Sequence, residues 1–226
     1  MPRRSGASSG TRGTERLFVR VRANPDMSYE LNFEYLLGRL ASQVSAEELG
    51  EVRRAYGVAR KVHATQFRDE GSPYIVHPIR VAVSIVDELR LYSPKLVCSA
   101  LLHDVIEDSP EDDPVTRSHI AEWFDEEIAE IVWLLTKLED VSLPEYLARI
   151  EAAAETGAPI VKLCDRLDNM RSVIHTPKLE KKRRYIRTTE SLYLPMAART
   201  NQYLHNELVR CLEEARNQVD ALANDW

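Results

Sequence analysis

Apolar residues recur at helical spacing in segment after segment of this chain. Leu49, Val52, Tyr56 and Ala59 share one stripe, and Ser45-Ala-Glu-Glu48 ahead of them is a capping box that starts the helix. Leu101, Leu102, Val105 and Ile106 keep the same spacing across L-L-H-D-V-I-E-D, as do Ile160, Leu163, Leu167, Met170 and Val173, with Asp165 on a flanking stripe. Start and stop signals agree with that period. His77-Pro78 opens a helix, Ser93-Pro94 supplies an N-cap with proline in the first turn, and Ser142 with Glu145 forms a second capping box. Gly157 ends that helix and Pro159 begins the next, while residues 178 to about 222 read as helix with Pro195 as a kink or break. Period-two alternation is almost confined to Leu17, Val19 and Val21. The predicted fold is therefore an all-α bundle.

Residues 1–26 read differently, with Arg3, Arg4 and Arg12 scattered among Gly, Ser and Thr and no apolar core segment. They are expected to be a disordered extension, and 27–226 a single helical domain. A chain of 226 residues with 44% hydrophobic content suffices for one sizeable core. The net charge of −6 argues against a general nucleic-acid binder, and no apolar run is long enough to cross a bilayer. Lys181, Lys182, Arg183, Arg184 and Arg187 form a basic stretch that Glu180 and Glu190 interrupt, read as a mainly solvated helix face. The other histidines, His63, His119, His175 and His205, are read as surface or core-edge groups, and Trp123, Phe124, Trp133 and Leu134 as core. Cys98, Cys164 and Cys211 form no C-x-x-C pair. That leaves neither a zinc knuckle nor a disulfide framework, and it suits a reducing, cytoplasmic compartment.

Candidate chemistry gathers on four residues, His77, the adjacent pair His103-Asp104, and Asp165. Two imidazoles with two carboxylates and no thiolate suit Mn²⁺, Fe²⁺ or Mg²⁺ with open octahedral positions. A continuous helix over 101–108 stacks His103 over Glu107 and Asp104 over Asp108. So much negative charge beside an apolar face is costly unless a cation offsets it.

With these motifs the chain resembles the HD-domain metal-dependent phosphohydrolases, and within them the hydrolase domain of RelA/SpoT-type alarmone enzymes. The matching blocks are H-A-T-Q-F-R-D-E-G-S-P-Y-I-V-H-P at 63–78, A-L-L-H-D-V-I-E-D at 100–108, L-L-T-K-L at 134–138, K-L-C-D-R-L-D-N-M-R-S at 162–172 and E-S-L-Y-L-P-M-A at 190–197. Their order is the family's. The chain ends soon after the last block, as a stand-alone small alarmone hydrolase would.

The resemblance implies that His77, His103, Asp104 and Asp165 hold one Mn²⁺, and that Glu107 and Asp108 do the proton work. It also implies that Arg68, Asn169, Ser172 and Lys182 contact a nucleotide, guanosine carrying a 3′-pyrophosphate. Two departures bear on the substrate. Asp69-Glu70 stands where the family has a basic residue and a serine, which is expected to weaken attraction for a polyphosphate, and Asp168 replaces the family's usual histidine. Two alternatives therefore stay open: a phosphohydrolase acting on another nucleotide, such as an adenosine alarmone or the 2′-phosphate of NADPH, and a non-catalytic alarmone-binding module.

Overall fold

The computed structural model describes residues 29–224, so the expectations for 1–26, Leu17, Val19 and Val21 included, lie outside the described residues. The elements are α1 (Tyr29–Leu40), α2 (Ala46–Val62), α3 (Val76–Val83), α4 (Pro94–Leu102), α5 (Val105–Asp108) and α6 (Arg117–Trp123), then α7 (Glu126–Leu135), α8 (Leu143–Ala152), α9 (Ala158–Val173), α10 (Leu179–Thr188), α11 (Leu194–Thr200) and α12 (Gln202–Asn224). Among the described residues there is no strand, only an isolated bridge between Phe67 and Pro73. The all-α expectation holds.

Helix α9 runs through the centre and touches α3, α4, α7, α8, α10, α11 and α12. Its Val161, Leu163, Cys164, Leu167, Met170 and Val173 are buried, so apolar residues lie on most of its circumference. Three polar residues of the same helix, Asp165, Arg166 and Asp168, are buried as well. They need partners, and those partners organise the site.

Local signals act as their chemistry dictates. Ser45 and Glu48 form a reciprocal box at 3.2 and 2.7 Å, and Ser142 with Glu145 forms another. A third box has histidine in the usual glutamate position: the Thr116 hydroxyl accepts from the His119 amide, and His119 Nδ1 accepts from the Thr116 amide. That contact gives His119 a structural task. Trp123, stacked on the His119 ring, is 39% exposed and so lies outside the core, while Leu134 is buried as expected.

Two features depart from the expected layout. The terminal helical region is interrupted next to Pro195, as expected, and breaks a second time at Asn201, whose backbone is extended (φ −158, ψ 118). A π turn at Thr189–Tyr193 precedes the proline and carries it into the first turn of α11, where its missing N–H costs least. The segment 101–108 is also not continuous. Helix α4 stops at Leu102, and His103 Nδ1 takes the Ala100 carbonyl at 2.8 Å, a group that a continuing helix would offer to the Asp104 amide. His103-Asp104 thus sits on a corner between α4 and α5.

Gly157 lies between α8 and α9 at φ +86, and a Cβ there would meet Leu96 Cδ2 at 2.5 Å. Gly157→Ala is expected to cost about 1–2 kcal/mol from the left-handed backbone alone, seen as a lower Tm with the metal-binding groups untouched.

Candidate metal centre and nucleotide pocket

Three segments deliver the four candidate ligands: His77 from the first turn of α3, His103-Asp104 from the corner after α4, and Asp165 from the middle of α9. His77 Nε2 lies 3.2 Å from Asp165 Oδ1 and 3.8 Å from Asp104 Oδ2. His103 Nε2 lies 3.1 Å from Asp104 Oδ2 and 3.8 Å from Asp165 Oδ1. Ligand atoms about 2.0–2.2 Å from one ion stand roughly 3 to 4 Å from each other, so these separations match one shared cation. His77, His103 and Asp165 are all buried and together form a possible metal site, with Asp104 beside them.

The imidazoles are prepared for that task. His103 Nδ1 faces a backbone carbonyl, which only accepts, so in the neutral ring that a cation would bind the proton stays on Nδ1 and the lone pair is on Nε2. His103 Nε2 is buried and has no hydrogen-bond partner. His77 Nδ1 in turn lies 2.7 Å from Asp168 Oδ2. Both rings therefore turn an open nitrogen toward the same point, and a divalent ion fits this donor set.

Charge makes the same case. Burial alone would lower the His103 imidazole, and the Asp104 and Asp165 carboxylates outweigh it, lifting it to about 9. Groups that hold a proton this firmly also attract a cation that displaces it. Burial likewise opposes ionisation of Asp165, yet Lys162, whose Nζ is 2.9 Å from Oδ2, and the two histidines keep it well below the usual carboxylate range. Tyr74 donates to Asp104 Oδ2 at 2.7 Å and fixes that carboxylate.

Glu107 and Asp108 flank this centre on α5. Burial raises both: Glu107, although its Oε1 accepts from the Lys137 amide at 2.6 Å, and Asp108, which the neighbouring Asp104 and Glu107 charges push further, to about 6. Sequence reasoning left His63 at the surface or core edge. It is instead buried, with Nδ1 2.7 Å from Gln66 Oε1 and 3.7 Å from Asp108 Oδ2, and its ring lies against Tyr74.

Arg68, Asn169 and Ser172 line one pocket with Tyr185 and Lys181. Arg68 donates to Asn169 at 3.1 Å, and Asn169 donates to Asp165 Oδ1 at 2.5 Å, so the pocket adjoins the metal centre. Lys182 is not brought there. It is buried, and its Nζ donates to Gln218 on α12 at 3.0 Å. Its neighbour Lys181 lines the pocket and, with Lys178, Arg184 and Arg187, an adjoining hollow of about 620 Å³.

The Asp69-Glu70 departure acquires partners. Asp69 accepts from Lys178 and Lys181, which hold it down at about 2, and Glu70 lies within 3.9 Å of both Arg68 and Arg80. Sequence reasoning missed Tyr74, Arg80 and Lys162 as site residues. Asp168 had been marked only as a departure, and no local motif shows which buried partner an arginine or tyrosine will meet.

The fold and this centre define an HD-domain protein, and the chain belongs to that family: the HD-domain model matches residues 55–202. Among curated relatives it is 31% identical over 182 residues to the probable guanosine-3′,5′-bis(diphosphate) 3′-pyrophosphohydrolase of Mycoplasma genitalium, covering 74% of this chain and 24% of that protein. It is 37% identical over 164 residues to the guanosine-3′,5′-bis(diphosphate) 3′-pyrophosphohydrolase of Haemophilus influenzae, covering 67% and 23%. The chain thus spans about a quarter of the length of these relatives. A solved structure described as "A metazoan ortholog of SpoT hydrolyzes ppGpp and plays a role in starvation responses" matches with a TM-score of 0.64 at 23% identity, covering 76% of this chain and 96% of that one. No described helix is long and apolar enough to cross a membrane.

Proposed function

We propose that the protein is a Mn²⁺-dependent (p)ppGpp 3′-pyrophosphohydrolase, with His77, His103, Asp104 and Asp165 as the metal ligands. The observation that carries this reading is the approach of the two Nε2 atoms to the Asp104 and Asp165 oxygens at 3.1–3.8 Å, in a chain whose relatives bear that activity in their names. Bound Mn²⁺ would supply Lewis-acid polarisation of a phosphoryl oxygen and a lowered pKa for water. Fe²⁺, which favours imidazole, and Mg²⁺, which favours carboxylate and water, serve as comparison ions.

The protein's own groups account for the remainder. Asp108 and Glu107 accept a proton from the attacking water, whose oxygen becomes bonded to the phosphorus next to the 3′ oxygen. The phosphorus–O3′ bond breaks, and the 3′ oxygen takes up a proton to leave as the hydroxyl of GDP or GTP. Lys162 stands beside Asp165 and over the Tyr146 ring, where it offsets carboxylate charge. Arg68, Asn169 and Ser172 orient the nucleoside, and the cations of α10 outnumber the acids facing the same hollow, which favours a polyanionic substrate. Three buried free thiols suit a reducing cytoplasm.

Incubating the protein with ppGpp and Mn²⁺ is expected to yield GDP and pyrophosphate, and chelation to stop it. An intact Mn²⁺ complex that releases no pyrophosphate would sink the assignment. Free phosphate released from NADPH would move it to a nucleotide phosphatase, the reading that Asp69 and Glu70 leave open.

A further inference from the structure

Helices α3 and α9 pack together, and each contributes two polar side chains one turn apart: His77 and Arg80 on α3, Asp165 and Asp168 on α9. They form two rungs. The first joins His77 Nε2 to Asp165 Oδ1 at 3.2 Å, at the metal centre. The second joins Arg80 to Asp168 as a fork, Nε to Oδ1 at 2.6 Å and Nη2 to Oδ2 at 3.1 Å. A diagonal ties them together, His77 Nδ1 to Asp168 Oδ2 at 2.7 Å.

We propose that Asp168, locked in place by Arg80, is a positioning residue that holds His77 as the Nδ1–H tautomer with its Nε2 lone pair turned into the metal centre. This rests on the metal-dependent reading above. An ionised carboxylate can only accept, so its contact with Nδ1 fixes the proton there, and the ring plane follows the carboxylate. Arg80 takes both Asp168 oxygens in a planar fork, which removes the carboxylate's freedom to rotate. His103 is held differently, by the neutral Ala100 carbonyl, so His77 is the more electron-rich of the two donors.

The same carboxylate reaches the nucleotide pocket. Arg80 Nη2 also donates to Ser172 Oγ at 3.2 Å, and Arg68 Nη2 lies 3.8 Å from Asp168 Oδ2. One buried group therefore orients a metal ligand, lies beside Arg68 and is linked through Arg80 to Ser172, both of which line the pocket. A histidine at position 168, the family's usual residue, could not accept the guanidinium fork that locks this carboxylate.

The test uses the full chain stripped by chelator, with Mn²⁺ titrated and the free-ion EPR signal recorded, alongside the Tm of each metal-free protein. Asp168→Asn keeps size and an acceptor oxygen but takes away the charge partner that Arg80 forks onto, leaving it Glu70 at 3.9 Å. The double variant Arg80→Gln/Asp168→Asn removes both charges and preserves a hydrogen-bonded pair, so it decides the matter if the single variant does not fold. Mn²⁺ affinity is expected to fall about 10–100-fold in both. A pair that only braces α3 against α9 would lower the metal-free Tm and leave the affinity of the folded protein unchanged, and that result overturns the proposal. Failure of the wild-type protein to bind Mn²⁺ would instead overturn the metal assignment.

Discussion

Asp104→Ala is expected to abolish Mn²⁺ binding and pyrophosphate release together. Asp104 Oδ2 lies 3.1 Å from His103 Nε2 and 3.8 Å from His77 Nε2, and Tyr74 O–H holds it from behind at 2.7 Å. Without it, two neutral imidazoles and Asp165 remain, and Asp165 already shares its charge with Lys162 at 2.9 Å. Metal-derived charge stabilisation contributes several kcal/mol to a transition state of this kind, so turnover should drop by at least about a thousandfold. The fold should survive, because the apolar packing of α4 and α9 does not involve this side chain. Calorimetric titration with Mn²⁺ and a pyrophosphate-release assay check both halves. Retained tight binding would remove Asp104 from the ligand set.

Glu107→Gln should give the opposite separation, with the metal bound as in the wild type and the rate reduced about 10²–10⁴-fold, the usual contribution of a positioned proton acceptor. The substitution keeps an oxygen for the Lys137 amide that now donates to Glu107 at 2.6 Å, so the local structure should persist. On the proposed reading Asp108 shares the task and is expected to set the pH dependence. In the metal-free protein burial and neighbouring charges raise it from 3.8 to about 6, and it must be deprotonated to accept a proton. Activity should therefore fall as the medium is acidified. A bound dication would pull Asp108 back down, so the acidic limb of kcat/KM is expected between the ordinary carboxylate range and about 6, and Asp108→Asn should remove that limb along with most of the rate. Near-normal turnover of Glu107→Gln, with the limb unchanged, would assign the proton work to Asp108 alone.

Much of the molecule was legible in the chain because the relevant forces are local. The helical period at Leu163, Leu167, Met170 and Val173, the boxes at Ser45–Glu48 and Ser142–Glu145, and the proline after Ser93 each depend on residues within a turn or two. His77, His103, Asp104 and Asp165 stood out for another reason: they fall in ordered blocks that match a known family, and the fold brings their nitrogens and oxygens to 3.1–3.8 Å from one another. Some of what could not be read is itself local: the His103 ring bonds the Ala100 carbonyl three residues back, at the turn between α4 and α5, and a π turn precedes Pro195, with a further break at Asn201. The rest was decided by long-range contacts.

Lys182 turns toward Gln218, and Lys181 faces the pocket instead, because neighbouring residues on a helix point about 100° apart and only packing against α12 selects which one is covered. His63, Arg80 and Asp168 acquired their partners 45, 88 and 91 residues away in the chain. Sequence alone thus set which segments coil and which side chains carry charge and lone pairs, since both are properties of a residue and its near neighbours. Tertiary structure chose which of those groups meet out of water, where an unpaired charge is too costly to leave and each buried group must find its complement.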